Sequence, residues 1–154
     1  NGFTMTRQPY EPNYRGLVDA VIDFKEGFPN FAPLQVGFDA TTFEAVSNGD
    51  ALYMRTSDGQ VGKASAADGT TENAQVVGFA DADAAINTTV KVIVIGLKTL
   101  SGLDAGDLYF LSPSTAGAIT LTPPSSAGQA VVRVGEASTT TKFAIRIEPP
   151  IKLS

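Results

Sequence analysis

Gly106-Asp107-Leu108-Tyr109-Phe110-Leu111 reads as a tight turn that launches a short strand, and Gly49-Asp50-Ala51-Leu52-Tyr53 reads the same way. Glycine supplies the backbone freedom a tight turn needs, and aspartate hydrogen-bonds the turn backbone through its short side chain. The apolar and aromatic residues that follow suit a pleated strand. Each unit then meets another turn glycine, Gly59 in the first and Gly117 in the second. Each ends in a valine-rich run with one embedded glycine, Val76-Val77-Gly78-Phe79-Ala80 and Val132-Arg133-Val134-Gly135-Glu136-Ala137. Gly49 and Gly78 are 29 positions apart, as are Gly106 and Gly135, so the units recur at about 57 residues. Val36-Gly37-Phe38 and Ile95-Gly96-Leu97 stand ahead of the two units and extend the match. Agreement at several points predicts an internal repeat, with halves at 34–88 and 89–154.

Working outward, short β-rich runs alternate with turn residues from Leu34 onward. The expected strands are Leu34–Phe38, Phe43–Val46, Ala51–Arg55, Gln60–Lys63, Gln75–Ala80, Thr89–Leu97, Leu108–Leu111, Ala118–Leu121, Ala130–Ala137 and Phe143–Glu148. Signals such as Asn48-Gly49-Asp50 and Ser57-Asp58-Gly59 separate them. No long stretch has helical periodicity, and Asp81–Ile86 is expected to form at most one helical turn. Short strands at this spacing predict an all-β fold, a compact barrel or sandwich of antiparallel strands.

Residues 1–33 differ in composition. They carry Pro9, Pro12, Pro29 and Pro33 and six of the 13 aromatic residues. Proline fixes φ and removes a backbone donor, which favours extended or irregular chain. Within this zone Leu17–Phe24 alternates in a way that mildly favours a strand over a short helix. The first 15 residues hold little that builds a core, yet they contain Phe3, Tyr10 and Tyr14 beside Arg7 and Arg15. Aromatic anchors and arginine are the usual material of protein–protein contacts. Residues 1–33 are therefore read as an extended N-terminal arm, with Phe3, Arg7, Tyr10, Tyr14 and Arg15 as partner-binding residues. The competing reading packs the aromatics on the chain's own body, and it is preferred for Phe24, Phe28 and Phe31.

Composition narrows the function. The 154 residues include no His, no Cys and no Trp. Missing His removes the commonest general base and metal ligand, and missing Cys removes disulfides, thiol chemistry and thiolate metal sites. The net charge is −5 with 11 scattered basic residues, so the basic footprint of nucleic-acid binding is not present and no nucleic-acid partner is expected. The longest apolar stretch, Val90–Leu97, is broken by Lys91 and too short to span a bilayer, so no membrane partner is expected. The N-terminus shows no basic segment followed by an apolar run, so no signal peptide is expected.

The remaining chemistry is sparse. Ser65 lies near Lys63 and Ser101 near Lys98, but both pairs sit in polar, turn-like chain. Asp81 with Asp83, and Asp104 with Asp107, are carboxylate pairs of the kind glycosidases use, though turn and cap roles suit them better. Asp58-Gly59 and Asp68-Gly69-Thr70 do not continue into a calcium loop. A calcium site built from scattered carboxylates stays open. No catalytic residue, cofactor or metal is assigned.

The pattern Ala105-Gly106-Asp107-Leu108-Tyr109-Phe110-Leu111-Ser112, then Gly117-Ala118-Ile119-Thr120, then Val132–Ala137 and Phe143–Pro149, resembles small β-rich structural proteins of tailed phages. In character it is most similar to capsid decoration (cement) proteins, over roughly residues 34–150. The resemblance implies a non-enzymatic virion protein on the capsid surface. Its partners would be the major capsid protein and other copies of itself, as a homo-oligomer expected to be a trimer, with an arm clamping neighbouring capsid subunits. The alternatives are a tail, baseplate or fibre-attachment module and, less favoured, a glycan-binding or enzymatic β-barrel.

Overall fold

The computed structural model describes residues 35–154. Their strands, in chain order, are β1 (Gln35–Thr41), β2 (Ala51–Met54), β3 (Val61–Lys63), β4 (Val76–Ala80), β5 (Thr89–Thr99) and β6 (Leu108–Leu111). They continue with β7 (Ile119–Thr120), β8 (Ala130–Val131), β9 (Arg133–Ala137), β10 (Lys142–Ile145) and β11 (Ile151–Lys152). Nine strands form one sheet in the order β3-β2-β4-β5-β10-β9-β6-β7, with β1 also paired to β5, and β11 pairs with β8. Every strand pairing is antiparallel. The fold is all-β, a curled antiparallel half-barrel, and among the described residues its one helical element is a 3-10 turn at Glu72–Ala74.

The sheet order reads the same from both ends. β3, β2, β4 and β5 occupy the places that β7, β6, β9 and β10 occupy in the other half. The hydrogen bonds repeat as well. Gly49 N–H donates to Ala80 O at 2.9 Å and Ala80 N–H returns to Asp50 O at 2.9 Å. Gly106 N–H donates to Ala137 O at 2.7 Å and Ala137 N–H returns to Asp107 O at 3.0 Å. Gly49 (φ +94°) and Gly106 (φ +88°) both take a left-handed backbone that a side chain would oppose. A register shift falls between Leu52 and Tyr53 against β4, and another between Tyr109 and Phe110 against β9. The 57-residue spacing thus has a structural counterpart in turn, bulge and pairing.

β5 explains why the halves are hard to separate. Its β-branched run Val90–Ile95 suits an extended strand. Its N-terminal part pairs with β4 and β1, and its C-terminal part pairs with β10. One strand of 11 residues therefore closes the first half and opens the second. At Gly96 (φ +124°) the backbone takes a conformation that favours glycine, and earlier in the strand the in–out alternation breaks at Val92 and Ile93, which are both buried. Before the break Val90 and Val92 are buried while Thr89 and Lys91 face solvent.

The sheet curls until its ends meet. Ala64 and Ala66, just past β3, join the opposite end through Gly117 N–H to Ala64 O (2.7 Å) and Ala66 N–H to Ser112 O (3.1 Å). Ala51 N–H donates to Gly117 O at 2.8 Å and Ala64 N–H to Ala51 O at 2.8 Å. These bonds satisfy buried backbone groups that an open edge would leave bare. Inside lies the main core, including Phe79, Ile93, Tyr109, Leu111, Val134 and Phe143. The Phe143 ring meets Phe79 and Tyr109 edge-on, at centroid distances of 5.5 and 5.8 Å. Val46, Leu52, Val61, Ala80, Val90 and Val92 form a second, smaller cluster.

Several expectations change. Phe43–Val46 is not a strand, and only the isolated bridges Thr42–Val61 and Val46–Ala84 form there. The chain turns at this point because the buried Thr42 hydroxyl donates to Ala85 O at 2.6 Å, tying it to the segment before β5. Asp81–Ile86 forms no helical turn, since Ala84 is held extended by exchanging backbone hydrogen bonds with Val46. Ala130–Ala137 splits at Val132, because β8 pairs with β11 while β9 pairs with β6 and β10. β11 follows Pro149-Pro150, beyond the last expected strand. The expected element Leu17–Phe24 and the packing of Phe24, Phe28 and Phe31 lie outside the described residues.

Phe143→Ala removes a ring that holds both halves and is expected to cost about 3–5 kcal/mol. Gly135→Ala drives a Cβ into the Ala144 carbonyl and the Phe143 ring, at an expected cost of about 1–3 kcal/mol. Urea unfolding followed by far-UV circular dichroism measures both.

Candidate functional site

Phe3, Arg7, Tyr10, Tyr14 and Arg15, the expected partner-binding residues, lie outside the described residues. The Ser–Lys pairs are not assembled as dyads. Ser65 Oγ accepts the Ala67 N–H, and the Lys98 ammonium turns to other partners. Asp104 and Asp107 shape a turn, with Asp107 N–H donating to Asp104 O at 3.2 Å. Asp68 does the same locally by accepting the Thr70 hydroxyl at 2.6 Å and the Thr70 N–H at 2.8 Å, bonds that hold its carboxyl below its ordinary range. Among the described residues no group of three or more acidic side chains gathers to hold a metal.

Lys98 lies near the end of β5 and is 3% exposed, buried although charged. Its Nζ donates to Asn48 Oδ1 at 2.7 Å and to Asp81 Oδ1 at 3.2 Å. A buried ammonium needs such partners, because leaving it bare in a low-dielectric site is costly. Asn48 belongs to the Gly-Asp turn ahead of β2, and Asp81 follows the last residue of β4. The turn is itself fixed, with Asp83 Oδ1 accepting the Asn48 N–H at 2.8 Å and Asp50 Oδ2 accepting the Ser47 N–H at 2.8 Å. Asp81 and Asp83, read above as a carboxylate pair, therefore have separate roles, Asp81 pairing with Lys98 and Asp83 fixing the turn. Sequence reading paired Lys98 with Ser101 and missed Asn48, which carries only a turn signal.

A second cluster decorates the β2–β3 hairpin. The Arg55 guanidinium bonds the Asp58 carboxylate and lies 4.2 Å from the centroid of the Phe43 ring. The Arg55 hydrogen bond, helped by the Gln60 N–H, holds the Asp58 carboxyl below its ordinary range. Thr56, through its side chain and then its backbone N–H, does the same for Glu72. Asp58 is exposed and Glu72 partly exposed, so these contacts orient the hairpin more than they stabilise it.

The body also presents an apolar surface. Val36 and Ile95 face each other across β1 and β5, at 55% and 60% exposure. Ile95 continues into a groove with Val94, Leu97, Ala144 and Ile147. β1 pairs only with β5, so within the described residues one edge of a seven-residue strand stays unpaired. Asp39 is its single charge, so it lacks the lysines and prolines that commonly guard such edges.

No family model and no curated protein matches this chain.

Asp58 and Glu72 titrate below their ordinary values, so their contribution is present above about pH 4 and disappears as pH falls through the lowered folded-state values. Asp58→Asn is expected to flatten the acid side of the melting-temperature profile slightly and leave pH 7 stability nearly unchanged, as thermal scans from pH 7 downward would register.

Proposed function

We propose that this chain is a structural assembly protein, a decoration or cement module of a tailed-phage capsid, and not an enzyme. The observation that carries the reading is the pairing of a curled β body with an exposed apolar patch, Val36 and Ile95, beside a strand edge that is unpaired among the described residues. Exposed apolar patches of this kind serve protein contacts, and an open strand edge adds main-chain hydrogen bonds to a docking partner. The lack of His and Cys in the sequence supports the non-enzymatic part. The likeness of the Gly-Asp, strand, Gly, strand unit to phage structural proteins supports the virion part. On this reading the major capsid protein is the partner, other copies of the chain complete a trimer, and residues 1–33 are the clamping arm.

The test uses expanded shells of the virus that encodes the chain, prepared without it. Purified protein is expected to bind them saturably and raise their melting temperature. A protein that remains monomeric and ignores the shells would sink the proposal. Val36→Asp with Ile95→Asp places charge on the patch. It is expected to weaken shell binding by about 2 kcal/mol or more, roughly thirtyfold, while the unfolding midpoint of the free protein moves little.

A further inference from the structure

We propose that Lys98 and Asn48 are the two halves of an intramolecular isopeptide bond, formed by the folded protein itself with Asp81 as the proton-transfer group. The Lys98 Nζ rests on the Asn48 side-chain amide, 2.7 Å from Oδ1, and 3.2 Å from Asp81 Oδ1. The nucleophile thus lies within hydrogen-bond reach of both its electrophile and an acid–base group. The lysine is 3% exposed, so its head group is held where it would react. Holding reactants in place lowers the barrier much as a very high local concentration does.

The two halves of the fold supply an internal control. Gly49, Asp50 and Ala80 have counterparts in Gly106, Asp107 and Ala137 with the same hydrogen bonds. Asn48 and Asp81 do not: Ala105 and Ser138 stand at the corresponding positions. The turn therefore forms without Asn48, and the strand ends without Asp81. What these two residues add to the first half is their contact with Lys98. The competing attack on Asn48, from the nitrogen of the following glycine, is restrained because the Gly49 N–H is held by Ala80 O at 2.9 Å. Asp83 holds Asn48 from the other side through its backbone N–H, at 2.8 Å.

The step balances without any other reactant. Asp81 takes a proton from the Lys98 ammonium, and the neutral Nζ attacks Asn48 Cγ. The new C–N bond forms as the carbonyl electrons move onto Oδ1. Protonated Asp81 returns its proton to Nδ2, the Cγ–Nδ2 bond breaks, and ammonia leaves. The second proton lost from Nζ ends on that ammonia. A primary amide and an ammonium group become a secondary amide and an ammonium ion. The product ties the turn before β2 to β5, residues 50 apart in sequence, and closes the first half into a covalent ring.

The test is intact-mass spectrometry of the purified full chain under denaturing conditions, with no capsid present, so its outcome is independent of the assembly role. The expected mass is lower than the sequence mass by one ammonia, and protease digestion should yield a branched peptide joining the segments that hold Asn48 and Lys98. Lys98→Arg and Asp81→Ala should each restore the full sequence mass. A wild-type chain with the full mass and two separate peptides overturns the proposal. So does a mass gain matching conversion of the Asn48 amide to an acid with Lys98 free. An Asp81→Ala chain that still loses ammonia overturns the role given to Asp81.

Discussion

The Phe143 ring sits where the two halves of the chain meet, and the rest of the body is arranged around its contacts. It reaches Phe79 of the first half and Tyr109 of the second, both edge-on. It also lies over the position where Gly135 has no side chain. A ring of this size fits between two strands only when the facing residue is small, so Phe143 and Gly135 constrain one another. With that contact in place, β10 is held between β5 and β9, and the two sets of strands join into one sheet. Curling of the sheet then brings Ala64 and Gly117 together and satisfies its ends.

The halves share a plan and use it differently. Val92 and Phe143 pair with Ala80 and Ala137, which hold equivalent places beside the Gly-Asp turns. Yet Val92 belongs to the smaller cluster and Phe143 to the main core. In β5 the consecutive residues Val92 and Ile93 are both buried, one in each cluster, and the register against β1 shifts just beyond them. One face of the first half is thereby covered by the segments at Val46 and Ala84, while Phe110, Ala144 and Arg133 of the second half stay partly open. Local pattern can be duplicated within a chain, but a core has one inside, and each copy must adapt to it.

That adaptation also frees positions for other uses. Asn48 and Asp81 of the first half gather around Lys98 of the shared strand β5, a buried ammonium that needs partners. The exposed pair Val36 and Ile95 likewise lies where β1 joins β5, a pairing that follows from the double role of β5. Both the polar cluster and the apolar patch are consequences of how the halves interlock.

The sequence by itself determined the local elements. The Gly-Asp turns, the strand at Leu108–Leu111, the valine-rich strands and the recurrence at about 57 residues were legible, because turn chemistry and β propensity act over a few neighbouring residues. The loss of a strand at Phe43–Val46 and the break at Val132 were not, because they depend on which distant backbone is available to pair. Only the tertiary structure decided that Lys98 would leave nearby Ser101 and meet Asn48 and Asp81. A strand can aim a side chain to either face, and burial of the sheet, which no short stretch of sequence encodes, selects the face.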